Sequence, residues 1–424
     1  MTDKKIVPIF YACDDAFVKF TIISIRSMLE NASPDRFYRF HILITDVSER
    51  SRRVAKELER ENAEIIFEDV TSYLTAIEKK LPLRDYYSKT TYYRLFIADM
   101  FPQYDKAIYI DSDTVVLGDI SELYDTDLKD NYVGAVTERV MTDIDVYGRY
   151  VEQVLGIDRY AYFNAGLLLL NCKQFRKNDL LKKFGDLLSV YNFVVTQDED
   201  YLNLMCKDRV LHLDRKWNTE ILPQFEIDPA KVDIFHYIMV SKPWHYPDCR
   251  FGEYFWKYAE KTEFYQELRE ASLSYSDEEK QRDIDCGNNL ALLAEREIAR
   301  EDNYLKTLRK KQAQDRVAVI EKIGELEAKG KFDVDAEDDP PTLPLEEDVD
   351  YAKKKLISRM KAAAAFKAAR VFVNNLIENK QLIMKDIVGL ENLTSLEGGA
   401  IITCNHFNAF DSVAMQLGSD HADT

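Results

Sequence analysis

Between residues 6 and 67 the chain alternates short apolar runs with stretches of helical spacing, and this alternation constrains the fold more than any other feature. Residues 6–12 read as a strand that ends in Cys13-Asp14-Asp15. Residues 21–30, with Ile22, Ile25 and Leu29 at helical spacing, read as a helix. Residues 37–45 predict a second strand, 48–62 a charged helix and 64–67 a third strand. Strands and helices in this order predict an α/β protein with a mainly parallel central sheet. Such sheets take their ligands in the crevice beyond the carboxyl ends of the strands.

One later strand is built for that crevice. Residues 106–110 are largely apolar, and they deliver Asp111-Ser112-Asp113 before the apolar Val115-Val116-Leu117. In extended chain residues i and i+2 point the same way, so Asp111 and Asp113 can offer hard oxygen ligands to one divalent cation. The motif alone says little, because the chain holds seven Asp-x-Asp triplets, Asp125/Asp127 and Asp283/Asp285 among them. The apolar flanks of Asp111/Asp113 set that triplet apart, since they leave solvent a poor partner for two carboxylates.

Four more stretches carry polar residues toward strand ends. Residues 89–100 read as a helix that brings Arg94 to the crevice. Residues 161–171 read as a buried strand, with Asn164-Ala165-Gly166 as a turn that lets backbone approach a ligand. Asp198, Glu199 and Asp200 open a helix, where the helix dipole is reason enough for acids. His236 follows a strand and is itself followed, six residues on, by Lys242. A lone histidine after a strand is usually structural, but this one would complete an Asp111/Asp113 site that lacks a third ligand.

A length of 424 residues suggests two or three domains, and 46% hydrophobic residues suffice for a real core. A net charge of −18 argues against nucleic-acid binding. The six cysteines lie far apart without a Cys-x-x-Cys pair, which predicts reduced thiols rather than zinc or a disulfide framework. No apolar run approaches the ~18 residues of a membrane span, and the N-terminus has no signal-peptide pattern, so a cytoplasmic location is expected.

Taken together, these segments resemble the family 8 glycosyltransferases over residues 5–265. The motifs that carry the likeness are Tyr-Ala-Cys-Asp-Asp at 11–15, Thr-Thr-Tyr-Tyr-Arg-Leu at 90–95 and Tyr-Ile-Asp-Ser-Asp at 109–113. Phe-Asn-Ala-Gly at 163–166, Gln-Asp-Glu-Asp-Tyr-Leu-Asn at 197–203, and His-Tyr with Lys-Pro-Trp between 236 and 244 complete the order. The resemblance implies the GT-A nucleotide-diphospho-sugar transferase fold and retaining transfer of a hexose, glucose or galactose, from a UDP-sugar. It implies Mn2+ or Mg2+ on Asp111, Asp113 and His236, with Ala12, Asp14 and Ser112 toward the nucleotide. It also implies that Lys242 faces the leaving phosphate and that Arg94, Asn164 and Asp198 hold the donor sugar. Three positions depart from the family's habit: Glu199 replaces a common glutamine, Ala16 a common asparagine and Met239 a frequent glycine. A carboxylate at 199 would stabilise an oxocarbenium-like transition state or act as nucleophile. The acceptor implied is a hydroxyl of a glycan or glycolipid.

Residues 1–270 are therefore expected to form the transferase domain, and 271–331 a charged, solvated helical connector. Residues 332–350 hold nine acids, no Lys or Arg, and three prolines, the composition of a linker. Residues 351–385 reverse the balance with nine basic residues against one acid, a pattern that suits either an anionic membrane surface or packing on the chain's own domain. The last stretch, with Asn405-His406 and Asp411, resembles the opening of a 1-acylglycerol-3-phosphate acyltransferase domain, in which His406 would be a base oriented by Asp411. Only about 75 residues of such a domain precede Thr424, so a truncated gene product without acyl transfer is expected.

Overall fold

The computed structural model describes residues 4–74 and 89–331, together with a few scattered positions between 334 and 371. The expected acidic linker, most of the basic stretch, and His406 with Asp411 lie outside the described residues. The chain divides into two compact units, Met1–Gly324 and Glu325–Thr424.

Among the described residues, ten strands build the first unit: β1 Lys5–Ala12, β2 Arg36–Ile44, β3 Ala63–Asp69, β4 Ala107–Ile110, β5 Thr114–Val116, β6 Val133–Thr137, β7 Phe163–Leu170, β8 Val210–His212, β9 Thr219–Glu220 and β10 Ile234–His236. Seven form one sheet in the order β3-β2-β1-β4-β7-β6-β8, and the other three a small sheet in the order β5-β10-β9. The large sheet is parallel from β3 to β4, while β7 runs antiparallel between β4 and β6. This is the GT-A arrangement that the resemblance implied.

The strand pleat divides the core. Val7, Ile9 and Tyr11 of β1, Ile108 and Ile110 of β4, and Leu167 and Leu169 of β7 enter one apolar cluster. Phe10, Ala107, Tyr109, Leu168 and Leu170 enter the other. Alternate residues thus face opposite layers, which is why β7 reads as an unbroken apolar run. Helix α1 (Asp15–Asn31) covers the first face with Val18, Ile22, Ile25 and Met28. It starts six residues earlier than its apolar spacing suggests because Asp14 caps it, accepting the Phe17 N–H at 3.0 Å. Helix α2 (Glu49–Lys56) is shorter than the charged stretch that contains it.

Three local expectations change. Residues 89–100 form 3-10 turns over Lys89–Phe96 and one α turn over Ile97–Met100, not a single α-helix. Tyr92, Tyr93, Leu95, Phe96, Ile97 and Ala98 are all buried, and a continuous buried run carries no stripe by which to tell an α-helix from 3-10 turns. Asn164-Ala165-Gly166 is not a turn but the opening of β7 itself. The charged connector is not solvated throughout: its first helix, Asp277–Ala299, buries Leu290, Ala294 and Glu297, whereas Tyr304–Ala328 buries nothing. Among the described residues no helix is long and apolar enough to cross a membrane.

Candidate active site

β4 ends at Ile110, and the Asp111 N–H still donates to the Gly166 carbonyl at 2.8 Å; Ser112 and Asp113 then form a turn rather than the extended chain expected, closed by the Thr114 hydroxyl on the Asp111 carbonyl at 2.8 Å. Ser112 points away, its hydroxyl bonded to Thr21 of α1 at 2.7 Å. Asp111 and Asp113 share the other side. β10 pairs antiparallel with β5, placing His236 opposite Thr114 and beside the two carboxylates. Among the described residues, Asp111, Asp113 and His236 are the one group of three acidic, histidine or cysteine side chains whose donor atoms lie within 4.8 Å of one another.

Each member is held by its neighbours. Asp111 Oδ1 accepts from the Tyr109 hydroxyl at 2.7 Å and from Arg94 Nη2 at 2.9 Å. Arg94 is buried, lies 4.3 Å from the Tyr109 ring centre, and donates through Nε to the Thr91 carbonyl. The same Nε is 3.2 Å from Asp198, an ion pair in charge although the N–H is spent on Thr91. Burial alone would lower the Arg94 guanidinium; Asp111, then Tyr109 and Asp198, keep it charged. Asp113 lies 3.2 Å from His236 Nε2 and 2.5 Å from Lys242 Nζ. Burial would raise the Asp113 carboxyl, but Lys242 and His236 outweigh it and hold it far below the usual carboxylate range. The Lys242 ammonium also donates to the Tyr237 carbonyl, and its loop is pinned by Trp244, stacked on Phe20 at 3.8 Å.

The fourth wall is backbone. A Cβ built on Gly166 would stand 2.3 Å from His236 Cε1 and 2.8 Å from Asp111 Oδ2, so only glycine fits between two of the three ligands. Two hard oxygens and one imidazole nitrogen in this cradle suit Mn2+ or Mg2+, and the residues present fit such an ion.

A chain of hydrogen bonds, which sequence reasoning missed, orients the imidazole. His236 Nδ1 donates to Asn218 Oδ1 at 2.9 Å, and Asn218 Nδ2 donates to Asn164 Oδ1 at 2.8 Å. Asn164 Nδ2 in turn donates to Glu138. This direction puts the imidazole proton on Nδ1 and turns the Nε2 lone pair to the metal site. Asn218→Ala is expected to weaken Mn2+ binding about 10- to 100-fold with the fold intact, as read by calorimetry with the metal alone. Unchanged affinity would dismiss the orienting role.

Behind Asn164 lie three carboxyls, Glu138 and Glu220 buried and Glu199 half-buried. Glu138 accepts from the Val140 N–H, Glu199 from the Ala165 N–H and Glu220 from the Arg139 N–H. Glu220 lies near enough to Glu138 for the two carboxyls to repel, and its buried Oε1 has no hydrogen-bond partner among the described residues. Burial first, then Glu138, raises Glu220 well above its ordinary 4.5, and the same two causes raise Glu199. Burial, with Arg94 opposing and Asp111 assisting, pushes Asp198 up to about 7. A carboxyl raised on folding binds more protons in the native state than in the unfolded one. Its stability contribution is therefore complete below about 4.5 and is lost as pH rises through the folded value. Thermal unfolding at pH 5 and pH 8 should show a smaller loss for Glu220→Gln, whose amide can donate to Glu138, than for the natural chain. Equal losses would show that the Glu220 carboxyl is not protonated on folding.

The residues singled out from the sequence line one cavity of about 230 Å³: Ala12, Asp14, Arg94, Asp111, Ser112, Asp113, Asn164, Asp198, Glu199, His236 and Lys242. They come from the ends of β1, β4, β7 and β10 and from the loops and helix that follow, which is where a sheet of this kind takes ligands. Asn164 lines the cavity with both polar ends of its side chain engaged. Met239, also at the cavity, has φ +55°, the conformation that suits the glycine frequent there in the family. Glu138 was legible only as a charged residue beside Arg139, and Asn218 only as a loop polar residue; their partners lie 26 and 54 positions away.

Comparison with known proteins decides the class: the model of Glycosyl transferase family 8 matches residues 8–248. The chain belongs to glycosyl transferase family 8. As a member it is a retaining glycosyltransferase. It is 28% identical over 271 residues to a lipopolysaccharide 1,2-glucosyltransferase of Escherichia coli, covering 58% of this chain and 75% of that one. It is 27% identical over 250 residues to a lipopolysaccharide 1,3-galactosyltransferase of Salmonella typhimurium, covering 56% and 72%. Among solved structures, the galactosyltransferase LgtC in complex with donor and acceptor sugar analogues is 29% identical, with a TM-score of 0.52, over 61% of this chain and 96% of that one. The bifunctional glycosyltransferase WbbM is 25% identical, with a TM-score of 0.57, over 65% of this chain and 53% of that one.

Proposed function

We propose that this family 8 enzyme moves a hexose, glucose or galactose, from a UDP-sugar to a hydroxyl of a glycan or glycolipid, with Mn2+ or Mg2+ held by Asp111, Asp113 and His236. The observation that carries the reading is the gathering of the metal triad, Lys242, Arg94 and Asp198 around one cavity at the strand ends. A divalent ion bound there supplies a Lewis acid for the diphosphate oxygens. Ala12 and Asp14 sit at the β1 end for the nucleoside, with Ser112 beside them. Lys242 holds positive charge where the leaving phosphate gains negative charge. Arg94, fixed by four partners, orients Asp111 and with Asp198 and Asn164 bounds the sugar end. Buried, unpaired cysteines at 13, 172, 206 and 249 agree with a cytoplasmic setting.

Glu199 takes the place of the family's glutamine as a neutral group in this reading. Burial and Glu138 keep its proton on, so it matches an amide in charge and shape and is a poor nucleophile. Glu199→Gln should retain activity within about threefold, because the exchange replaces one neutral acceptor by another. A loss of about a hundredfold or more would restore the carboxylate to the chemistry.

The proposed activity is tested by UDP release from UDP-glucose, UDP-galactose and related donors with and without Mn2+, which needs no known acceptor. Metal-dependent release from one donor names it. No release from any donor and no metal-dependent UDP binding would overturn the proposal.

A further inference from the structure

The helix Asp277–Ala299 lies beyond residue 248, where the family match ends, yet its Leu290 lines the active-site cavity. Asp283, Leu290, Ala294 and Glu297 are spaced 7, 4 and 3 apart, so they share one face of the helix. That face is fastened at both ends. Asp283 accepts from the hydroxyls of Tyr246 at 2.7 Å and Tyr275 at 2.9 Å, and Tyr246 is four residues past Lys242. Farther along, the helix packs on the Asp145–Tyr150 helix, Ala294 is fully buried, and Glu297 accepts from the Tyr191 hydroxyl at 2.5 Å. Between the two anchors, roughly 10 Å of helix separates Asp283 from Leu290. The helix therefore bridges from the Lys242 loop to the segment that follows β6, with Leu290 turned into the cavity.

Sheet order fixes which end of the cavity Leu290 meets. Ala12 closes β1, Asp111 follows β4, Asn164 opens β7, and Glu138, Val140 and Met141 follow β6. Across β1-β4-β7-β6, each step is about 4.8 Å, so the β6 end lies some three strands from the nucleoside end and beyond the donor-sugar residues. There Leu290 packs in one apolar cluster with Val140 and Met141, and all three border the cavity. Of the cations lining the cavity, Arg94 is already paired with Asp111 and Asp198, and Lys242 with Asp113. Glu138 adds an acid at the β6 side. Among the described residues, an anionic acceptor has no free counter-charge there.

We infer that Leu290, Val140 and Met141 form an acceptor subsite for a neutral glycoside with an apolar aglycone, closed by a helix outside the family module. The inference rests on the proposed transferase reading for the identity of its ligand as acceptor. The apolar trio takes the aglycone, and the hydroxyl to be glycosylated enters beside Glu199 and Asp198. The bridging helix makes acceptor choice a property of the residues past 248.

The test is direct binding, by calorimetry or saturation-transfer NMR with UDP and Mn2+ present, of matched octyl and methyl β-glucosides and β-galactosides below the micelle concentration. One octyl glycoside should bind about tenfold tighter than its methyl partner, and Leu290→Ser should erase that preference while Leu290→Met keeps it. Leu292→Ser, on the exposed side of the same helix at 59% exposure, controls for loss of the helix and should keep the preference. Equal binding of octyl and methyl glycosides, or an intact preference in Leu290→Ser, overturns the subsite. UDP release without acceptor is read in parallel. Its failure alongside a Leu290-dependent octyl preference would sink the transferase reading and leave the subsite standing.

Discussion

Asp113→Ala is expected to abolish metal-dependent UDP release, by a thousandfold or more on the order of magnitude expected when a buried electrostatic contact is removed from a transition state. Asp113 supplies one of three donor atoms within 4.8 Å of one another, and it is also the carboxylate partner of Lys242. Removing it deletes a metal ligand and leaves a buried ammonium with a carbonyl as its remaining partner. Breaking such a pair costs about 3 to 5 kcal/mol, so the melting temperature should fall as well. Asp113→Asn separates the two effects. The amide keeps the volume and one oxygen but not the charge, so activity should fall nearly as far while less stability is lost. Rates with Mn2+ titrated to saturation, beside unfolding curves for both variants, decide the matter. Substantial release by either variant at ordinary Mn2+ would show that the ion is held elsewhere.

Gly166→Ala is the second large effect. The added methyl would stand 2.3 Å from His236 Cε1 and 2.8 Å from Asp111 Oδ2, closer than non-bonded atoms come, and neither neighbour is free to yield. His236 is tethered through Nδ1 to Asn218, and Asp111 through Oδ1 to Tyr109 and Arg94. Relief must come from parting the ligands themselves. Overpacking of this kind costs about 1 to 3 kcal/mol in stability, which the large core tolerates, whereas a shift of about an ångström in a ligand costs about a hundredfold in rate. The variant should fold, bind Mn2+ weakly and release little UDP. Normal Mn2+ affinity in Gly166→Ala would mean that His236 and Asp111 do not act together on one ion.

Much of the fold is legible in the sequence because the patterns that mark it act locally. Apolar runs, helical spacing and two acids at a strand end each depend on residues within a turn or a pleat of one another, so the parallel half of the sheet and the Asp111/Asp113 pair could be read directly. Arg94 and His236 could be read from the residues only as candidates at strand ends, and their roles, like that of Lys242, came from resemblance, because nothing near them in the chain distinguishes a ligand from a surface charge. The Asn218-Asn164-Glu138 relay was illegible for a related reason: each bond joins residues far apart in sequence, and each residue alone looks like an ordinary polar loop position. The Lys89–Phe96 turns escaped because a run of mostly buried residues has no polar stripe by which to tell an α-helix from 3-10 turns. The Asp277–Ala299 stretch was legible as helix, but its buried face escaped because acids and bases on its outer face mask an inner face only four residues long.

That helix changes what counts as the smallest complete enzyme. The family motif closes at residue 248, but Val140, Met141 and Tyr147 are dry partly because Leu290 and Ala294 cover them. A chain cut at the motif's edge would keep every metal ligand and every residue proposed for the donor, and still expose an oily strip along the rim of its own catalytic cleft. Grafting the motif alone into another protein would transplant the donor chemistry with a damaged doorway, and swapping the helix between relatives is the more economical route to a new acceptor.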